Sequence, residues 1–262
     1  MMGLARLSAL DPLICVGLFV PLQEMTITCI GHSGFVVETG GVTLVFDYYI
    51  DPAGVLDGIL SRAKRLYVLV SHSHRDHLCM DIFGWENVTQ YVLANECRRK
   101  LKRALNLSAY PIAWLHHDED WRDEHIAVHA FDSTDVGVSF LVEVEGQRIF
   151  HAGDYTCWHF SEEQDAAAVR KAKGDFHVIL DKIVAYSPQI DLAMMPVVPN
   201  IGSDWAYGAR EFLKAVRVAT FIPMHMWGRD REATNWEMYR NPEYGGCVYL
   251  AAGDAIEHHG QG

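Results

Sequence analysis

The chain has 262 residues, half of them hydrophobic and 21% charged, with a formal net charge of −12. That length and balance suit a globular protein with a sizeable core and exclude an extensively disordered one. So acidic a surface repels a phosphate backbone and disfavours a dedicated nucleic-acid binder, yet small anionic substrates stay open because bound divalent ions reverse the local field.

Residues 1–24 contain an apolar run, Leu13–Leu22, too short to span a bilayer and preceded by only one basic side chain, Arg6. A weak signal peptide and a non-native upstream start both account for it. We treat 1–24 as an extension of uncertain status and 25–262 as one domain. From Met25 the pattern is regular. Thr26–Ile30, Phe35–Glu38 and Val42–Tyr48 read as strands of a meander, separated by Gly31-His32-Ser33-Gly34 and Gly40-Gly41. A helix is expected over Asp51–Lys64, then a continuous apolar strand at Leu66–Val70. Leu78–Trp85 reads as a helix, Tyr91–Leu93 as a strand and Glu96–Leu105 as a basic helix. Ser108–Glu124 has no clear period and reads as loops and short irregular strands. Ile126–Phe131, Val138–Val144 and Arg148–His151 form a second strand-rich block. A helix over Ser161–Lys173 opens with the capping box Ser161 and Gln164. Val178–Leu180 and Leu192–Met195 are apolar runs, the second stopped by Pro196. Helices are expected at Asp204–Val216 and Arg231–Met238, strands at Ala219–Ile222 and Val248–Ala251, then a polar tail. A strand-then-helix order thus occurs twice, with its seam near residues 106–125. That order fits two sheets packed face to face and covered by helices.

The sharpest chemical signal is Ser71-His72-Ser73-His74-Arg75-Asp76-His77, directly after the apolar strand. His72 and His74 are two apart and point the same way on extended backbone. Asp76 and His77 fall where the chain turns away and face a neighbouring position. Imidazole and carboxylate together suit zinc or another first-row divalent ion.

His-x-His-x-Asp-His after a hydrophobic strand is similar to the signature of the metallo-β-lactamase superfamily. Gly31-His32-Ser33-Gly34-Phe35, with a strand ending at Asp47, resembles the opening of its ascorbate-phosphate-lactonase-like branch. His151-Ala152-Gly153-Asp154 and Phe221-Ile222-Pro223-Met224-His225 resemble its later strands. The resemblance implies an α/β fold, a four-layer αββα sandwich of two mixed β-sheets covered by helices. It also implies a ligand set: His72 and His74 on a first ion, Asp76, His77 and His225 on a second, and Asp154 bridging both. Asp47 would orient ligands by hydrogen bonds.

One departure stands out. The family's third histidine on the first ion is missing from Ala130–Gly137. Asp135 or His32 is a candidate replacement; otherwise one ion alone is held, by Asp76, His77, Asp154 and His225. The function implied is a metal-dependent hydrolase whose metal-bound hydroxide attacks a lactone, ester or phosphodiester, with Asp76 or Asp154 handling the proton. The cofactor would be Zn2+, one or two ions, with Mn2+ or Fe open. Competing readings are a mononuclear iron oxidoreductase of the same fold, a tRNA-processing-like nuclease and a non-catalytic metal-binding relative. The expected partner is a small-molecule substrate, with neither nucleic acid nor membrane, and homo-oligomer formation stays open. Six cysteines without a Cys-x-x-Cys pair suit reduced thiols in a cytoplasmic protein.

Overall fold

A computed structural model of the protein describes residues 24–160, 163–231 and 246–259. Residues 1–23 of the expected extension, Ser161 of the expected capping box and the expected helix beyond Arg231 lie outside the described residues. Among the described residues fourteen strands form two seven-stranded mixed sheets. The first sheet runs β14-β1-β2-β3-β4-β5-β6 and the second β13-β12-β11-β10-β9-β8-β7. Their ranges are β1 Glu24–Gly31, β2 Gly34–Glu38, β3 Thr43–Phe46, β4 Leu66–Val70, β5 Val88–Ala94, β6 Ile112–Leu115, β7 Glu119–Arg122, β8 Ile126–Phe131, β9 Ser139–Val144, β10 Gln147–His151, β11 Gln189–Pro196, β12 Arg217–Met224, β13 Gly246–Cys247 and β14 Ala255–His259. The seam expected near 106–125 falls between β6 and β7, where the chain leaves one sheet for the other.

Each sheet combines antiparallel hairpins with a parallel run. β1, β2 and β3 form a meander and β3 to β6 continue in parallel; β7 to β10 form a meander and β10 to β13 continue in parallel. Parallel strands covered on both faces need side chains that are apolar in both directions. β4 shows this, since all five of its residues are buried. Between the sheets the Phe46 ring lies flat on His151, centroids 5.0 Å apart.

Helices α1 (Leu56–Arg62), α2 (Cys97–Leu101), α3 (Ala166–Tyr186) and α4 (Tyr207–Ala215) complete the described elements, with short 3-10 turns. α3 buries Phe176, Ile179, Leu180 and Ile183, an i, i+3, i+4, i+7 stripe. Its cap is Asp165, whose carboxylate accepts from the backbone N–H of Ala167 and Ala168. The helix therefore begins later than its expected start and absorbs the apolar run Val178–Leu180. α1 is shorter than expected because Asp51-Pro52-Ala53-Gly54 makes a turn, with Gly54 at φ +66° and the Asp51 carboxylate accepting from Leu56 N–H. Over Leu78–Trp85 only a 3-10 turn forms, at Met80–Gly84. The strand expected at Val248–Ala251 is irregular; the polar tail instead supplies β14, antiparallel to β1. Inside β14, Ile256 and His258 alternate with exposed neighbours, and His258 Nδ1 meets Thr220 Oγ1 of the second sheet at 2.9 Å. The five cysteines among the described residues are free, and no described helix is long and apolar enough to cross a membrane.

The two sheets meet most tightly at Ser71, just past β4. Gly137 (φ +81°) and Gly153 (φ +54°), on loops of the second sheet, press against it. A Cβ on Gly137 would stand 2.1 Å from Ser71 O, and one on Gly153 2.7 Å from Ser71 Oγ. Gly137→Ala is expected to cost at least about 2 kcal/mol, by backbone strain plus overlap with main chain. Gly58→Ala in α1, where nothing lies within 4 Å, should instead stabilise by about 0.5–1 kcal/mol. Urea unfolding of the two variants beside the wild type checks both signs.

Candidate metal centre

The candidate residues all sit on loops at one edge of the sandwich. His32 is in the β1–β2 turn, Asp47 follows β3, and His72 to His77 follow β4. Asp135 is in the β8–β9 loop, Asp154 follows β10 and His225 follows β12. These are mainly the carboxyl ends of parallel strands, where crossover geometry leaves a crevice.

At the base lies Asp47, fully buried. Its carboxylate accepts the backbone N–H of Ser71 at 2.7 Å, the Ser71 hydroxyl at 2.6 Å and His77 Nδ1 at 2.7 Å. Burial works against the charge, but the imidazoles of His151 and His77 outweigh it and hold the carboxyl below its usual range. Ser71 uses its only hydroxyl proton on Asp47, so it accepts from His72 Nδ1, 3.0 Å away. The network thus assigns Nδ1–H to both His72 and His77, leaving each Nε2 with a lone pair facing the centre.

Those lone pairs face carboxylate oxygens. His72 Nε2 is 3.3 Å from Asp154 Oδ2, and His77 Nε2 is 3.1 Å from Asp154 Oδ1. His225 Nε2 lies 3.3 Å from Asp154 Oδ1 and 3.5 Å from Asp76 Oδ2, and His32 Nε2 is 3.3 Å from Asp76 Oδ2. The Nε2 atoms of His32, His72, His77 and His225 and Asp154 Oδ1 are buried without a hydrogen-bond partner. Lone pairs converging on carboxylates repel unless positive charge lies between them, either as protons or as a metal ion. His77 carries that demand in its pKa. Burial lowers it, but the Asp47 and Asp154 carboxylates push it up to about 10. Burial alone would raise the pKa of Asp154 and Asp76; the imidazoles of His72 and His77 facing the one, and of His225 and His32 facing the other, hold both far below the carboxylate range.

The donor atoms fall into two groups, the atoms of each lying within 4.8 Å of one another: His72, His74, Asp135 and Asp154, and His32, Asp76, His77 and His225. Asp154 touches both through its two oxygens. Asp47 with His72 and His77 forms a third such group, but the Asp47 oxygens are already taken by Ser71 and His77. The donor set fits a pair of divalent ions in number, type and unsatisfied valence. Every residue singled out in the sequence comes to this edge, and both open candidates do so in different groups, Asp135 beside His74 at 3.7 Å and His32 beside Asp76.

Other histidines are engaged elsewhere. His129 pairs with Asp120 and stacks on Tyr186 of α3. His159 is buried and turned to Asp204 and the Cys157 carbonyl. Trp158 stands at the centre, its indole N–H donating to the Asp154 carbonyl and its ring 6.0 Å from His225. Sequence reasoning gave no role to three supports. Ser71 relays Asp47 to His72. His151 accepts from Gly153 N–H through Nδ1 and donates from Nε2 to the Ser33 carbonyl, tying the loop of Asp154 to the turn of His32. Glu96 holds the Ser73 N–H and hydroxyl. For Ser71 and His151 the only signal was adjacency to the motifs; for Glu96 there was none.

A sequence profile described as a beta-lactamase superfamily domain matches residues 26–170. The chain belongs to this family. A UPF0173 metal-dependent hydrolase of Pelotomaculum thermopropionicum is 26% identical over 216 residues, covering 77% of this chain and 84% of the relative. One from Bacillus licheniformis is 27% identical over 212 residues, covering 74% and 82%. Among solved structures, Igni18, a metallo hydrolase from Ignicoccus hospitalis, superposes with a TM-score of 0.65 at 16% identity, covering 91% of this chain and all of that one. That likeness supports the two-sheet sandwich fold.

Removing the buried anchor tests the hydrogen-bond logic. Asp47→Ala strands the His77 and Ser71 donors and is expected to cost about 3–5 kcal/mol. Ser71→Ala should cost about 1–3 kcal/mol. Denaturant unfolding of chelator-treated protein measures both, and an Asp47→Ala loss under about 1 kcal/mol, within the range of ordinary substitutions, would remove Asp47 as the anchor.

Proposed function

We propose that the chain is a metal-dependent hydrolase acting on a small molecule, a lactone, ester or phosphodiester, through a two-ion site. The observation that carries this is the convergence of His and Asp donor atoms, those of His32, His72, His77, His225 and Asp154 buried and unpartnered, into two groups joined by Asp154. His72, His74, Asp135 and Asp154 would hold one ion; His32, Asp76, His77, His225 and Asp154 the other. Zinc suits the imidazoles, and the carboxylate of Asp135 in place of a third nitrogen also suits manganese or iron. Bound divalent ions lower the pKa of water toward neutrality and stabilise negative charge on an attacked carbonyl or phosphoryl group. The chain's own residues do the rest. Asp47, through Ser71 and directly, holds the Nε2 lone pairs of His72 and His77 inward. Asp76 is the more open of the two central carboxylates, its side chain 15% exposed against 6% for Asp154. It is therefore the group placed to accept a proton from water and pass it to the leaving group. His74 and Asp135, about half exposed, mark the side from which solvent and substrate enter.

Metal analysis of protein purified without chelator should give about two ions per chain, both lost in Asp154→Ala, with one retained in Asp135→Ala and one in His225→Ala. A single ion unaffected by Asp135→Ala would overturn the two-ion site. Iron with oxygen uptake would bring the oxidoreductase reading forward, and no turnover on lactone, ester and phosphodiester panels with both ions present would point to a binding protein.

Ion binding should also be coupled to protons. His77 in the metal-free chain holds its extra proton up to about pH 10, and an ion on Nε2 must displace it. Adding zinc to the metal-free protein near neutral pH is therefore expected to release protons, and affinity should weaken as pH falls. A titration in weak buffer with an indicator dye reads the release; zinc uptake with no proton release would contradict it.

A further inference from the structure

Six large hydrophobic side chains are exposed among the described residues, and Ile50, Val136 and Trp227 of these border the metal centre. Trp227 is 53% exposed, its ring 4.4 Å from His32 and 5.4 Å from His225. Tyr49 meets the same His32 ring edge-on at 6.3 Å. Ile50, 41% exposed, crosses over Gly31, so close that a Cβ there would stand 3.2 Å from Ile50 Cγ1. Tyr49, Ile50 and Trp227 thus form an apolar shelf around His32. Val136, next to Asp135, is an apolar neighbour of the other group.

The backbone beneath the shelf is unusual. His225, Trp227 and Gly228 have φ of +63°, +50° and +74°. Left-handed backbone suits glycine but strains an aromatic residue. The free protein gains little packing from a half-exposed indole, so neither burial nor backbone preference accounts for Trp227 here. Apolar surface held against a polar reaction centre is how small-molecule sites take up the non-reacting part of a ligand. The net charge of −12 works against a polyanion and leaves an uncharged one favoured.

We propose that the Tyr49–Ile50–Trp227 shelf is the subsite for the flat aromatic part of an uncharged ester, with Trp227 as the specificity-determining residue. This rests on the hydrolase reading of the site. Hydrolysis of an aryl ester breaks its acyl C–O bond. The hydroxyl of water goes to the acyl carbon and the proton to the aryl alcohol, which the shelf would hold until release.

The test uses the metal-loaded full chain in two measurements. The first is calorimetric binding of 2-naphthol, which has no bond to hydrolyse. The second is kcat/KM for 2-naphthyl acetate relative to methyl acetate. Trp227→Ala and Trp227→Gly are expected to weaken naphthol binding roughly tenfold or more, the scale of losing a stacked aromatic contact with its buried area. The same variants should lower the naphthyl-to-methyl ratio by a similar factor. Trp227→Phe should restore most of both, and Val178→Ala, at an exposed position of α3, should change neither. Trp227→Gly should melt no lower than the wild type, because glycine relieves the left-handed strain. Naphthol that fails to bind, or binds Trp227→Ala as tightly as the wild type, overturns the shelf whether or not the esters are cleaved. A melting temperature of Trp227→Gly that falls as for a core deletion makes Trp227 structural and also overturns it. Trp227-dependent naphthol binding without cleavage of either ester would instead overturn the hydrolase reading and with it the ester class.

Discussion

A carboxylate enclosed away from water must be surrounded by donors, and Asp47 obtains its donors from the segment that begins at Ser71. That single requirement organises one edge of the molecule. Ser71 offers both its N–H and its hydroxyl, and His77 reaches back to the same group. The segment after β4 is thereby clamped at its first and last residues, with His72, His74 and Asp76 displayed between. The second sheet closes on the same spot, where Gly137 and Gly153 come so near Ser71 that no side chain fits. Ser71 is thus both the relay for His72 and a point of close approach between the loops of the two sheets.

The arrangement concentrates charge that the fold itself does not neutralise. Asp154 and Asp76 are encircled by imidazole nitrogens, and the Nδ1 protons of His72 and His77 are directed outward, to Ser71 and Asp47. In the metal-free chain the Asp47 and Asp154 carboxylates hold an extra proton on His77, which makes that imidazole hard to deprotonate. Asp135 and His32 fall on opposite sides of this charge, one in each donor group. Each adds a donor on one side of Asp154, and the two groups stay comparable in size.

Much of the fold was legible along the chain. β4, β8, β9, β10 and the central part of β11 were read nearly to the residue, because buried strands announce themselves as short apolar runs with turn residues at their ends. The errors have physical causes. Pro52 and Gly54 cut α1 short by making a turn that the Asp51 carboxylate stabilises. Val178–Leu180 was an apolar run whose helical period shows only when Phe176 and Ile183 are counted with it. β14 escaped notice because an inward position is a histidine, His258, whose burial is made tolerable by Thr220 across the sheets.

The sequence by itself determined the family, the two-sheet order and the run His72 to His77, since these depend on local spacing and on residue types that have few other uses in such a pattern. Tertiary structure alone decided which donors share a centre. Asp135 and His32 are 103 positions apart, and their placement in different groups depends on how the β8–β9 loop and the β1–β2 turn meet above Asp154. It also decided that Ser71 and His151 are supports, because a hydroxyl or a ring nitrogen has a role only once its hydrogen-bond partners are known. No periodicity encodes those partners; they come from loops that close packing of the two sheets brings within hydrogen-bond reach.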